Sequence, residues 1–300
     1  MTDLWQSSPF NPANDDAYHA WRDAKLRDYP DSLGALVVDI ADPFALSQAE
    51  REAIRTRVAK CNLAIYRLRG HDHARAGNPL RAITAQLGLE EIDHNLGAGE
   101  EGLSALSPGG SAHEPFAAYI PYRQAAIGWH TDGYYNPPHR QIRSLCLHCE
   151  RPADVGGENA LWDHEIAYIR LRDKDPEIIR TLMTDGVMTI PARLEGGQVA
   201  RPERPGPVFA IDPRDGHLHM RFTNRTISIR WRQDAATREA VAALKELLEA
   251  PSPHLFRGRL EAGWGLLSHN PLHTREAFHD QLPEAKRTLY RARFFQRMTF

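Results

Sequence analysis

Short strand-type segments separated by turn residues constrain this chain more than any other feature. From Ser144 onward they recur as Ser144–Cys149, Ala160–Trp162, Val187–Ile190, Val208–Ile211, Leu218–Phe222, Ile227–Ile229, Leu255–Leu260, Gly265–Leu267 and Leu289–Phe295. Many short strands with turns between them suggest a β-sandwich or a jelly roll. Two helical insertions interrupt the series. One starts at the N-cap residue Asp163 and runs to about Met183, with a break at Asp175-Pro176. The other, Ala235–Glu249, gathers Val241, Leu244, Leu247 and Leu248 into one apolar stripe.

Upstream, Ala35–Val38 and Leu63–Tyr66 read as strands. Between them, Ser47-Gln48-Ala49-Glu50 forms a capping box that opens a helix to about Lys60. Residues 1–33 are polar and punctuated by prolines, with one amphipathic piece at Ala17–Leu26, and read as an N-terminal arm. No composition boundary interrupts residues 34–300, which read as a single mainly β domain with helical decoration. Residues 93–115 are rich in Gly and Ser, without a period, ahead of an expected strand at Phe116–Tyr122. A lid over a site and a plain surface insertion fit that segment equally well.

The bulk properties narrow the function classes. With 42% hydrophobic and 25% charged residues the chain can bury a sizeable core. Its 37 basic and 39 acidic residues give no basic excess, which argues against nucleic acid or a membrane surface as partner. No apolar run reaches the length of a membrane span, and the N-terminus lacks a secretory pattern. Three cysteines, Cys61, Cys146 and Cys149, suit a reducing cytoplasm better than a disulfide framework. A small-molecule partner and a cytoplasmic location are therefore expected, with homo-oligomerisation left open.

The chemistry concentrates in Trp129-His130-Thr131-Asp132-Gly133. Residues two apart on a strand point the same way, so His130 and Asp132 present an imidazole and a carboxylate together. A second imidazole from a distant strand, as in Leu272-His273-Thr274-Arg275, would complete two histidines and one carboxylate. That set leaves metal positions open and suits non-haem Fe(II). The spacing alone also fits a surface turn, since Asp-Gly favours turns. Flanking Trp129, Tyr134 and Tyr135 place the pair in apolar surroundings, where ionisable groups need a partner or a metal. His269, four residues before His273, is a rival ligand that strand alternation would put on the same face. Cys146 and Cys149 resemble half a zinc site but lack a second pair. His217 and His219 have metal-like spacing without an accompanying carboxylate.

Five ordered pieces resemble the taurine dioxygenase-like, clavaminate synthase-like branch of the Fe(II)/2-oxoglutarate-dependent dioxygenases, over roughly residues 116–297. They are the His130-x-Asp132 motif, Gly156-Gly157-Glu158-Asn159-Ala160-Leu161, Asn270-Pro271-Leu272-His273-Thr274-Arg275-Glu276-Ala277-Phe278, Arg287 fourteen residues after His273, and Arg291. The resemblance implies a double-stranded β-helix, a cupin-like jelly roll with helices outside. It implies Fe(II) held by His130, Asp132 and His273, with 2-oxoglutarate and O2 as co-substrates. Arg287 would meet the far carboxylate of 2-oxoglutarate bidentately. Asn159 stands where the family usually has Thr and would assist there, and Thr274 stands where Gly is common. Arg291, Tyr134, Tyr135 and Arg221 would face the prime substrate, which the extra arginines suggest is a small anion. Halogenating relatives carry a small residue in place of the carboxylate, so Asp132 implies hydroxylation, desaturation or ring closure. A jelly-roll protein that binds a metal or ligand without catalysis is the alternative.

Overall fold

The computed structural model describes residues 2–70, 77–95, 97–108, 119–282 and 286–300. By packing, the chain divides into two compact units. One comprises residues 30–128, 140–161 and 256–300; the other comprises residues 1–29, 129–139 and 162–255.

The first unit is organised by a six-stranded sheet. Its order is Val37–Ile40, Leu63–Leu68, Trp264–Ser268, Ser144–Arg151, Thr288–Phe294 and Ser104–Leu106. The first pair is parallel and is joined by the helix Gln48–Cys61. That helix begins where the sequence predicts: Ser47 Oγ accepts from the Glu50 amide, and the Glu50 carboxylate accepts from the Ser47 amide. One face of the sheet buries Tyr66, Cys146, Leu267, Ala292 and Phe294 against Ile54, Val58, Leu80 and Ile83. Strand alternation then assigns Leu289, Arg291 and Arg293 to the opposite face. Arg293 pairs with the buried Asp93 carboxylate, which Arg140 also contacts at 3.2 Å. The 93–115 segment is therefore partly built in: Asp93 is anchored and Ser104–Leu106 pairs with Leu289–Arg291. Residues 96 and 109–115 of that segment lie outside the described residues.

A four-stranded sheet runs in the order Leu255–Gly258, Asn159–Trp162, Leu272–Arg275, Ile127–His130. Two of the expected metal ligands, His273 and His130, thus sit on neighbouring strands. The turn before Asn159 needs glycine. Gly156 has φ +73°, and a Cβ there would stand 2.3 Å from the Ala277 carbonyl oxygen. Its neighbour Gly157 donates to that same carbonyl at 3.1 Å.

The second unit is mainly helical. His164–Lys174 and Pro176–Leu182 meet at Asp175, whose carboxylate caps the second helix, so the expected break falls at Asp175-Pro176. Ala235–Glu249 buries Val241, Leu244 and Leu248, while Leu247 is half-buried. The N-terminal helix Asp15–Leu26 is pinned to this set rather than trailing as an arm. Tyr18 donates to Asp173 at 2.7 Å, and the Arg172 guanidinium lies 3.9 Å over the Tyr18 ring. Lys25 is buried between Asp163 at 2.7 Å and Glu165 at 2.5 Å. Burial works against its charge, but the two carboxylates more than offset this and hold the ammonium above its ordinary value.

One expected strand is absent, and a second does not form in its described part. Ile227–Ile229 is a short 3-10 turn, Thr226–Ser228, and Ile227 is exposed, so no sheet face takes up its β-branched side chain. In the expected strand 116–122, residues 116–118 lie outside the described residues, and Ile120–Tyr122 is a 3-10 turn around Pro121. A hairpin the sequence reading passed over, Arg193–Glu195 with Gln198–Arg201, turns at Gly196-Gly197.

Candidate metal centre

His130 ends the strand Ile127–His130, and the backbone beyond it is held on its far side. His130 bridges to Thr223, the Thr131 amide donates to the Phe222 carbonyl at 3.0 Å, and the Asn224 amide donates to the Trp129 carbonyl at 2.8 Å. Thr131 Oγ1 accepts from the Phe222 amide at 3.1 Å, so the residue between the two ligands faces away from them and locks the segment. Asp132 is buried, its Oδ1 3.6 Å from His130 Nε2.

His273 comes from Leu272–Arg275. Its Nδ1 lies 3.0 Å from the Pro271 carbonyl oxygen. A carbonyl only accepts, so Nδ1 carries the proton and Nε2 is left as a lone-pair donor. One ligand atom each from His130, Asp132 and His273 falls within 4.8 Å of the others. Among the described residues this is the group of three or more metal-ligating side chains that could share one ion. Two imidazoles and one carboxylate are the donor set of a non-haem Fe(II) site, so the residues present fit that metal. His269 is elsewhere. The strand Trp264–Ser268 ends before it, Asn270 takes φ +53°, and His269 Nδ1 contacts Asn62 at 3.3 Å. The expectation that His269 and His273 share a strand face fails at that bend.

Arg287 is buried, its guanidinium 4.8 Å over the Phe278 ring. Its own amide donates to Asp280 at 3.0 Å. Burial pulls its pKa down, more than the nearby Cys149 and Asp280 raise it. Among the described residues no carboxylate forms an ion pair with this guanidinium. The Gly156-Gly157 turn lies beside it: a Cβ on Gly157 would be 3.6 Å from Arg287 Nε. Arg275, which the sequence reading quoted without a role, also packs on Phe278, at 4.9 Å. Its guanidinium donates to the Pro121 and Ala125 carbonyls at 3.1 and 2.6 Å, and burial and Arg287 pull it down to about 10. Arg275 is thus tied to the segment leading into the His130 strand.

Other expected residues are placed differently. The Asn159 amide donates to the Thr274 carbonyl at 2.9 Å, and Thr274 Oγ1 accepts from the Ala160 amide. Asn159 therefore fastens the strand of His273. The buried Arg221 gives its guanidinium to the carbonyls of Met188, Arg204 and Pro207 at 2.6, 3.1 and 3.2 Å. Burial pulls it down to about 10. Through these bonds it ties the backbone of Met188, Arg204 and Pro207 together. Arg291 is buried in the sheet opposite Leu147 and Ser104. Tyr134 and Tyr135 form an edge-to-face pair 5.2 Å apart, directly after the ligand segment. Cys146 and Cys149 are free thiols that burial pushes up to about 12, the form least suited to bind zinc.

The fold and the donor set define a non-haem iron oxygenase. Residues 25–293 match the taurine catabolism dioxygenase TauD, TfdA family, and the chain belongs to that family. It is an Fe(II)- and 2-oxoglutarate-dependent dioxygenase with the family's double-stranded β-helix. A uridine-5'-phosphate dioxygenase from an Amycolatopsis species is 28% identical over 284 residues, 88% of this chain and 94% of that protein. A second uridine-5'-phosphate dioxygenase, from a Streptomyces species, is 31% identical over 198 residues, 61% of this chain and 65% of that protein. In fold, the chain resembles the non-heme iron oxygenase OrfP in complex with Fe and alpha-ketoglutaric acid. The TM-score is 0.57 at 17% identity, covering 83% of this chain and 80% of that one. No described helix is long and apolar enough to cross a membrane.

Proposed function

We propose that this dioxygenase oxygenates a nucleoside monophosphate, with His130, Asp132 and His273 as iron ligands and Arg287 as the anchor of 2-oxoglutarate. The buried guanidinium of Arg287, with no carboxylate paired to it among the described residues, carries the co-substrate reading. A desolvated cation without a paired carboxylate is costly, and a dicarboxylate would supply one. The full-length similarity to a uridine-5'-phosphate dioxygenase supports the substrate class. The family match across residues 25–293 supports reading residues 34–300 as one oxygenase domain.

Each residue has a task that does not depend on the others' chemistry. The Pro271 carbonyl fixes the His273 tautomer, and Thr131 and Thr223 fix the His130 segment. Asn159 holds the His273 strand, and Phe278 supports Arg287 from one side. When bound, Fe(II) activates O2 and couples decarboxylation of 2-oxoglutarate, to succinate and CO2, to oxidation of a substrate C–H bond. Asp132 keeps a carboxylate in the ligand set, which favours hydroxylation over halogenation.

The test is succinate release from 2-oxoglutarate with Fe(II), with uridine-5'-phosphate, uridine or no prime substrate. Nucleotide-dependent succinate release with matching loss of uridine-5'-phosphate is expected. Equal release in all three arms would overturn the substrate class. Metal analysis checks the ligands separately: Asp132→Ala and His273→Ala should bind less than a tenth of the iron the parent holds, and His269→Ala should bind it normally.

A further inference from the structure

The region following the ligand segment holds a surplus of arginine that the chemistry above does not use. Tyr134 bonds to Thr223 and Ser228, and Thr223 is the residue bridged to His130. Beside Tyr134 stands Tyr135, and over the Tyr135 ring, 5.6 Å from its centre, lies the guanidinium of Arg201. Arg201 spends one nitrogen, Nη2, on the Pro191 carbonyl at 2.9 Å, while its buried Nη1 has no partner among the described residues. Arg204, three residues on, has a buried Nε without a partner.

The local acids are already committed. Glu195 pairs with Arg193, and Glu203 pairs with Arg230. The charges acting on Arg201 are the two tyrosines and two further arginines, Arg193 and Arg204, and burial pulls its pKa down. A buried N–H left without an acceptor is destabilising, so two such atoms on neighbouring arginines mark a place for an anionic oxygen.

We propose that Arg201, laid over Tyr135 and backed by Arg204, is the specificity-determining residue that binds the phosphate of the prime substrate. The inference rests on the reading of the substrate as an anion and gives that role to Arg201 in place of Arg291 and Arg221. A planar guanidinium can hold two phosphate oxygens at once, and Tyr135 supplies a flat apolar face beside it. Arg204, whose charge acts on Arg201, adds to the positive field there. The two arginines come from the end of the Arg193–Arg201 hairpin and the start of the next strand, Arg204–Gly206.

The test is calorimetric titration of the anaerobic, Fe(II)- and 2-oxoglutarate-loaded protein with uridine-5'-phosphate, uridine and taurine. Arg201→Gln should weaken uridine-5'-phosphate by about 10–100-fold, the scale of losing a charged hydrogen bond, and leave uridine affinity unaltered. Arg201→Lys, which keeps the charge and loses the fork, should fall between the two, and it carries the test if Arg201→Gln melts early. If the parent ignores uridine-5'-phosphate but binds taurine through Arg201, the nucleotide reading fails and the anion site stands. If Arg201→Gln and Arg201→Lys bind every anion as the parent does, if Arg291→Gln alone loses the anion, or if the parent binds none of the panel, the proposal is overturned.

Discussion

Lys25 and Arg287 are both buried cations, yet one is closed and the other open. Lys25 is enclosed by Asp163 and Glu165, and Tyr29 donates to the same Asp163 carboxylate at 3.2 Å. Arg287 has an aromatic ring on one face and no carboxylate paired with it among the described residues. Desolvation weighs on both, so the difference lies in who supplies the counter-charge. Where the chain supplies it, the charge fastens a helix to its neighbours. Where no carboxylate is paired among the described residues, a ligand's charge would take that place.

Breaking the closed cluster should have the larger effect on stability. Lys25→Ala leaves two buried carboxylates without their cation, and about 3–5 kcal/mol of unfolding free energy should be lost in a denaturant titration. A loss under 1 kcal/mol would mean the cluster is not held by charge. Arg287→Ala should do the opposite: about 2–5 kcal/mol of 2-oxoglutarate affinity disappears, read by calorimetry, while the melting temperature holds. Unchanged 2-oxoglutarate affinity would close the site that the comparison calls open.

The Gly156 turn sharpens the contrast, because it shapes the ground beside Arg287. Gly156→Ala meets the Ala277 carbonyl and a left-handed backbone together. It should cost about 1–3 kcal/mol of stability and weaken 2-oxoglutarate binding in the same variant. Stability lost with normal co-substrate affinity would separate the turn from the site. The smallest effect concerns a solvent-exposed carboxylate, Asp39. Hydrogen bonds from Arg67 and Arg69 hold it down to about 2. Its folded value is depressed, so its contribution is present above the ordinary carboxylate pKa of about 4 and is lost as pH falls towards about 2. The stability margin of the parent over Asp39→Asn should shrink across that window in denaturant titrations. A margin constant with pH would show that the exposed pair contributes nothing through charge.

Local signals were legible where one residue does one local job. Ser47 and Glu50 close a capping box, and Asp163 and Asp175 begin their helices as their side chains require. The His130-x-Asp132 spacing and the Leu272-His273 context led to three side chains that the fold brings together. Side chains whose partners are backbone carbonyls far along the chain were not legible. Arg221 reads as an anion binder from its arginine-aromatic segment, but each of its three nitrogens donates to a carbonyl between Met188 and Pro207, and no sequence pattern marks those partners. Asn159 reads as a Thr substitute, and its bond to the Thr274 carbonyl, 115 residues away, leaves no mark in the sequence. Alternation could not foresee the bend at Asn270 that separates His269 from His273. The Arg193–Arg201 hairpin escaped notice because most of its residues are exposed and no apolar alternation marks it. Its one signal was the Gly196-Gly197 turn between arginine-bearing segments.

The buried thiols have a practical consequence. Cys61, Cys146 and Cys149 are enclosed, and the latter two are held far above the pH of any ordinary buffer as neutral S–H groups. Maleimides react with thiolates, so the folded protein offers them almost no native target. A single cysteine introduced at Val199, exposed on the hairpin that carries Arg201, would then be the one fast-labelling position. A fluorophore there would report on occupancy of the hairpin without any native cysteine being removed.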